Sequence, residues 1–73
     1  MVNTQMLEDK IKESGKTKTF LAGKIGKTIQ SLNTKIKNQY DFTSSEVDIL
    51  CTELGVTKLS EKDAIFFAKN VDR

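Results

Sequence analysis

The stretch Ser14-Gly15-Lys16-Thr17-Lys18-Thr19-Phe20-Leu21-Ala22-Gly23-Lys24-Ile25-Gly26-Lys27-Thr28-Ile29-Gln30-Ser31-Leu32-Asn33-Thr34-Lys35-Ile36-Lys37-Asn38 decides how this chain folds. Its apolar residues Phe20, Leu21, Ala22, Ile25, Leu32 and Ile36 recur at helical intervals, which gather side chains on one face of a helix. Gly26 interrupts them, and glycine readily takes the left-handed conformation that ends a helix. Thr17 or Lys18 therefore opens a short helix over about 18–25. After only Gly26 and Lys27, Thr28 is a good N-cap for a second helix, over about 28–38, in which Leu32 and Ile36 share a face.

Upstream, Thr4 is expected to cap a helix over about 4–14 that carries Leu7 and Ile11 and stops at Gly15. Downstream, Asn38-Gln39-Tyr40-Asp41-Phe42 reads as a polar connection with two aromatic anchors, Tyr40 and Phe42. Thr43-Ser44-Ser45-Glu46 matches the capping box, in which the first and fourth side chains each satisfy the other's backbone amide. Val47, Leu50, Cys51 and Leu54 follow at i, i+3, i+4 and i+7, and Gly55 ends that helix. Ser60 with Asp63 repeats the capping pattern ahead of Ile65, Phe66, Phe67 and Ala68, a last short helix. Proline is absent and strand-like alternation is scarce, so the expected class is all-α, a compact bundle of about five short helices. Leu21, Ile25, Leu32, Ile36, Val47, Leu50, Cys51 and Leu54 are expected to form one core.

At 73 residues, with 37% hydrophobic and 30% charged side chains, the chain falls in the globular range and has room for one domain, 1–73. No apolar run reaches the roughly 20 residues of a membrane helix, and Met1 to Met6 lacks the layout of a signal peptide, so a cytoplasmic protein is expected. Cys51 stands alone inside an apolar repeat and reads as a small buried hydrophobe. There is no histidine, the commonest general base and metal ligand, and one thiol makes no zinc site. Neither an enzyme nor a protein with a metal, a cofactor or a small-molecule substrate is expected. Charge is uneven: residues 1–38 carry eight lysines against Glu8, Asp9 and Glu13, and residues 39–73 carry four basic against seven acidic side chains, giving +5 and −3. Such asymmetry points toward nucleic acid, although lysines on a solvated helix face explain many charge runs.

Two short helices joined by a tight turn that begins with glycine are the skeleton of a helix-turn-helix, whose second helix enters the major groove of DNA. The pattern Ser14-Gly15-x-Thr17-x-x-x-Leu21-Ala22-x-x-Ile25-Gly26-x-Thr28 resembles the lambda repressor and Cro-like helix-turn-helix family. Asn38 to Phe42, the helix with Glu46, Leu50 and Leu54, the run Leu54-Gly55-Val56 and the tail Ile65-Phe66-Phe67-Ala68 resemble small phage Cro-type regulators. The resemblance covers nearly the whole chain.

The resemblance implies that Thr28, Ile29, Gln30, Ser31, Asn33 and Thr34 lie at the start and on the outer face of a recognition helix. Gln30 could pair bidentately with adenine, and Ser31, Asn33 and Thr34 could meet base edges or phosphates. Thr17 and Lys18 open the preceding helix, where free amides attract a phosphate, and Lys16, Lys27, Lys35, Lys37 and Asn38 would add contacts beside the groove. Double-stranded operator DNA is the implied partner, bound by a weak homodimer or through neighbouring sites. Two residues depart from the family pattern: Ile29 stands where a polar side chain is expected, and Lys35 where leucine is frequent. Ile29 has three readings: a member of the Leu32 and Ile36 core stripe, a contact to a thymine methyl, or a contact to a protein. The last would suit a modulator of repression that binds a phage repressor and masks its DNA-reading surface. Arginine is absent before Arg73, so any DNA surface is built from lysines and amides.

Overall fold

A computed structural model describes residues 1–68; Arg73 lies outside them. Five helices follow one another, α1 (Thr4–Ser14), α2 (Lys18–Lys24), α3 (Ile29–Ile36), α4 (Ser44–Leu54) and α5 (Leu59–Phe66), with no strand among the described residues. The sequence dictates most of their ends. Thr17, Thr28 and Thr43 are N-caps whose hydroxyls accept from the amides of Phe20, Ser31 and Glu46, satisfying donors that a helix start otherwise leaves unpaired. At Thr43 the full capping box forms, with the Glu46 carboxylate accepting from the Thr43 amide at 3.0 Å.

Several termini differ from the sequence expectation. Asn3, and not Thr4, caps α1 by accepting from the Met6 amide at 3.1 Å. The Thr4 hydroxyl is drawn instead into a tertiary contact and donates to the Ile36 carbonyl at 2.6 Å. Helix α3 stops at Ile36, short of 38: Lys37 is its C-cap and Asn38 takes a left-handed φ of 66°. Helix α5 starts at Leu59 behind Lys58, which makes no side-chain cap, so the Ser60 and Asp63 pattern does not mark its start. Phe67 lies beyond that helix and is half exposed.

The turn between α2 and α3 runs from Ile25 to Thr28. Gly26 has a φ of 71°, a conformation costly for any side chain with a Cβ, and the Lys27 amide beyond it donates back to the Ala22 carbonyl at 2.9 Å. Four residues thus join the two helices, and α2 packs chiefly on α3. Helix α1 lies against α3, α4 and α5, and α2 also touches α4.

All eight residues expected in the core are buried, and they form one cluster with Val2, Leu7, Ile11, Ala22, Val56, Ile65 and Phe66. Phe42 packs on this cluster and meets Phe66 edge to face at 5.8 Å. Tyr40, expected as the second aromatic anchor, is instead 68% exposed. Among the described residues no helix is long and apolar enough to cross a membrane.

Candidate functional site

The outer face of α3 and its flanks gather the side chains singled out in the sequence. Lys27, Thr28, Ile29, Gln30 and Lys37 are exposed, and Ser31, Asn33 and Thr34 are half-buried beside them. Leu32 and Ile36 turn inward and are each 1% exposed. Ile29 does not join that stripe. It is 45% exposed, whereas Leu32 and Ile36, three and seven residues further along the same helix, are buried.

The polar groups of this face are unequally free. The Thr28 hydroxyl is occupied by the Ser31 amide at 3.0 Å, and the Thr34 hydroxyl donates to the Ser31 carbonyl at 2.7 Å. The side-chain amides of Gln30 and Asn33 take no hydrogen-bond partner among the described residues and remain available to a ligand. A shallow groove of about 530 Å³ runs alongside, between Thr28, Ser31 and Thr34 on α3 and the Tyr40-Asp41 connection. Along the chain Asp41 reads only as part of a polar connection and Tyr40 as an anchor for the core; the fold places both beside α3 instead, just after the left-handed residue Asn38.

The cations divide into two groups. Lys16 is tied to the Glu53 carboxylate at 3.0 Å and to the Glu53 carbonyl at 2.7 Å, and this bond holds the Glu53 carboxyl below its ordinary range. Lys18 meets Glu8 at 3.0 Å, and Lys24 lies 4.0 Å from Glu53. Lys16 and Lys24 also sit over the Phe20 ring, at 5.7 and 5.4 Å from its centroid. Much of the positive charge in the first half of the chain is thus answered by acidic side chains from other helices; Lys10 with Glu61 is a further case. Lys27 and Lys37, which flank the two ends of α3, take no acidic partner among the described residues.

Three residues expected to meet phosphate are used inside the fold. The Lys35 ammonium lies 2.6 and 2.8 Å from the two carboxylate oxygens of Glu46, with only 11% of its side chain exposed. Burial works to raise the Glu46 carboxyl, but the Lys35 ammonium and the Thr43 amide outweigh it and hold the group below its ordinary value of 4.5. Asn38 accepts from the Val2 amide at 2.7 Å and donates to the Val2 carbonyl at 2.9 Å, fastening the N-terminal segment to the end of α3. Thr17 is spent on the Phe20 amide at 3.0 Å, leaving the start of α2 capped by its own side chain. Cys51 is buried, and burial pushes its thiol up, away from a reactive thiolate.

No family model, curated protein or solved structure matches this chain.

Proposed function

We propose that this protein is a sequence-specific DNA-binding regulator, in which α2, the Gly26 turn and α3 act as a helix-turn-helix and α3 enters the major groove. The observation that carries this reading is the outer face of α3: the exposed Gln30 and half-buried Asn33, whose side-chain amides have no hydrogen-bond partner among the described residues, share it with the exposed cations Lys27 and Lys37 at its flanks. An amide can form two hydrogen bonds to adenine, and lysines outside the groove hold phosphates without reading sequence. Lys18 and Lys16, in surface ion pairs worth little in water, can exchange their carboxylates for phosphates. This function agrees with the likeness of residues 14–28 to the lambda repressor and Cro-like family, with operator DNA as partner and the bacterial cytoplasm as its place of action.

A second reading is favoured by one feature, the exposure of Ile29 on the first turn of that face. A bare isoleucine among polar side chains suits a protein partner, and an antirepressor docking on a phage repressor would use it. A titration against intergenic DNA of the source genome, with and without the neighbouring repressor, separates the two. For the DNA regulator, Gln30→Ala relaxes sequence preference, whereas Lys27→Ala weakens all DNA alike and flattens the salt dependence by about one unit of slope. Absence of DNA binding at low salt, together with a repressor complex that Ile29→Asp abolishes without unfolding the chain, establishes the antirepressor instead.

A further inference from the structure

The two ends of α3 are held differently. Its first turn is open to solvent, while its last turn is fastened by polar groups from three other parts of the chain: the Thr4 hydroxyl on the Ile36 carbonyl, the Asn38 side chain on Val2, and Lys35 on Glu46. The third tie is of another kind. It is the most buried ion pair among the described residues, with side-chain exposures of 11% and 5%, whereas at least 20% of each side chain remains exposed in the others. Glu46 is moreover fixed before Lys35 reaches it, because its carboxylate also accepts from the Thr43 amide and its own amide donates to the Thr43 hydroxyl. Lys35 therefore meets an acceptor whose position is set by the start of α4. Helix α3 makes its main packing contacts with α2 and α1, and among the described residues this bond is its side-chain hydrogen bond to α4, beside the apolar contacts of the shared core.

A pair of apolar side chains of similar size would stabilise such a site as well or better, since desolvating two charges offsets most of their attraction. Methyl groups, however, slide over one another, and a charged hydrogen bond to both oxygens of a fixed carboxylate does not. We propose that Lys35 and Glu46 are positioning residues that set the orientation of α3 and so decide which of its outer side chains face a partner. The consequence for DNA rests on the reading of α3 as the DNA-facing helix; the tie itself does not. Lys35 is reassigned by this from phosphate contact to internal strut.

The test compares the parent chain with Lys35→Leu/Glu46→Leu and with Glu46→Gln, which keeps one acceptor oxygen for the Thr43 amide but removes the countercharge of the Lys35 ammonium. The double leucine variant, which also loses the Glu46 half of the capping box, still folds, and the amides of Asn33 to Ile36 exchange with solvent about tenfold faster while those of α1 are unchanged. On DNA, the ratio of operator to non-specific affinity falls about tenfold, and the salt slope is unchanged because no phosphate contact is lost. Glu46→Gln speeds exchange at the same amides and lowers the ratio as well, because it leaves the buried Lys35 ammonium without its carboxylate. Unaltered exchange in the double variant overturns the proposal, as does an unchanged affinity ratio, a slope flattened by one unit, or a double variant that fails to fold. A parent chain that binds no DNA overturns the DNA reading alone, and the exchange measurement still decides the role of the pair.

Discussion

Helices α3 and α4 begin in the same way and end up in different roles. Each has a threonine N-cap in extended backbone whose hydroxyl takes the amide three residues on, Thr28 with Ser31 and Thr43 with Glu46. From that shared start, α4 buries Glu46, Val47, Leu50, Cys51 and Leu54, while α3 buries only Leu32 and Ile36 and leaves Ile29 and Gln30 in solvent. The difference teaches that a local start signal fixes where a helix begins but says nothing about how much of it faces inward. The side chains after the cap decide that. In α4 the third position is a glutamate that closes the box and receives Lys35, so even its first turn is anchored; in α3 it is Ser31, too short to reach back, and the first turn stays open.

The sharpest way to break this comparison is to truncate one apolar residue in each helix. Leu50→Ala should cost about 2 to 5 kcal/mol in a denaturant titration, since the side chain is 1% exposed and a cavity replaces it. Ile29→Ala, at 45% exposure, should cost less than about 0.5 kcal/mol. Comparable losses at the two positions would mean that α3 is anchored at its first turn as α4 is.

The caps sharpen the comparison at a smaller scale. Thr28→Ala and Thr43→Ala should each destabilise by about 1 kcal/mol, read from the shift of the unfolding midpoint. Only Thr28→Ala should also weaken a partner held on α3, because fraying there begins on the exposed face.

A third difference lies in acid. The Glu46 carboxyl is held below its ordinary 4.5 when the chain is folded, so above that value both folded and unfolded chains carry the charge and the pair contributes in full. As pH falls below 4.5 the unfolded chain takes up the proton first, and this part of the stability is lost progressively until the folded-state value is passed. Glu46→Gln should therefore flatten the fall of stability below pH 4.5, whereas Gln30→Ala on α3 should leave the acid profile as it is. A profile equally steep with and without the Glu46 carboxyl would mean that the pair has no part in acid unfolding.

Five helices were legible along the chain, and so were most of their boundaries, because caps, glycine stops and apolar spacing act over three or four residues and are written in consecutive positions. The core was legible for the same reason: Leu21, Ile25, Leu32, Ile36, Val47, Leu50, Cys51 and Leu54 follow the helical period and are all buried. The order of residues could not settle the use of polar side chains that find partners far away in sequence. Lys35 and Asn38 look like surface groups until α4 and the N-terminal segment arrive beside them, 11 and 36 residues distant. Thr4 resembles a cap until the end of α3 offers a carbonyl to it, and Ile29 resembles the first rung of a core stripe but stands 45% exposed once the helices have packed. A hydrogen bond or ion pair needs two atoms about 3 Å apart in a given direction, and for residues far apart along the chain only the packing of helices on one another brings them there.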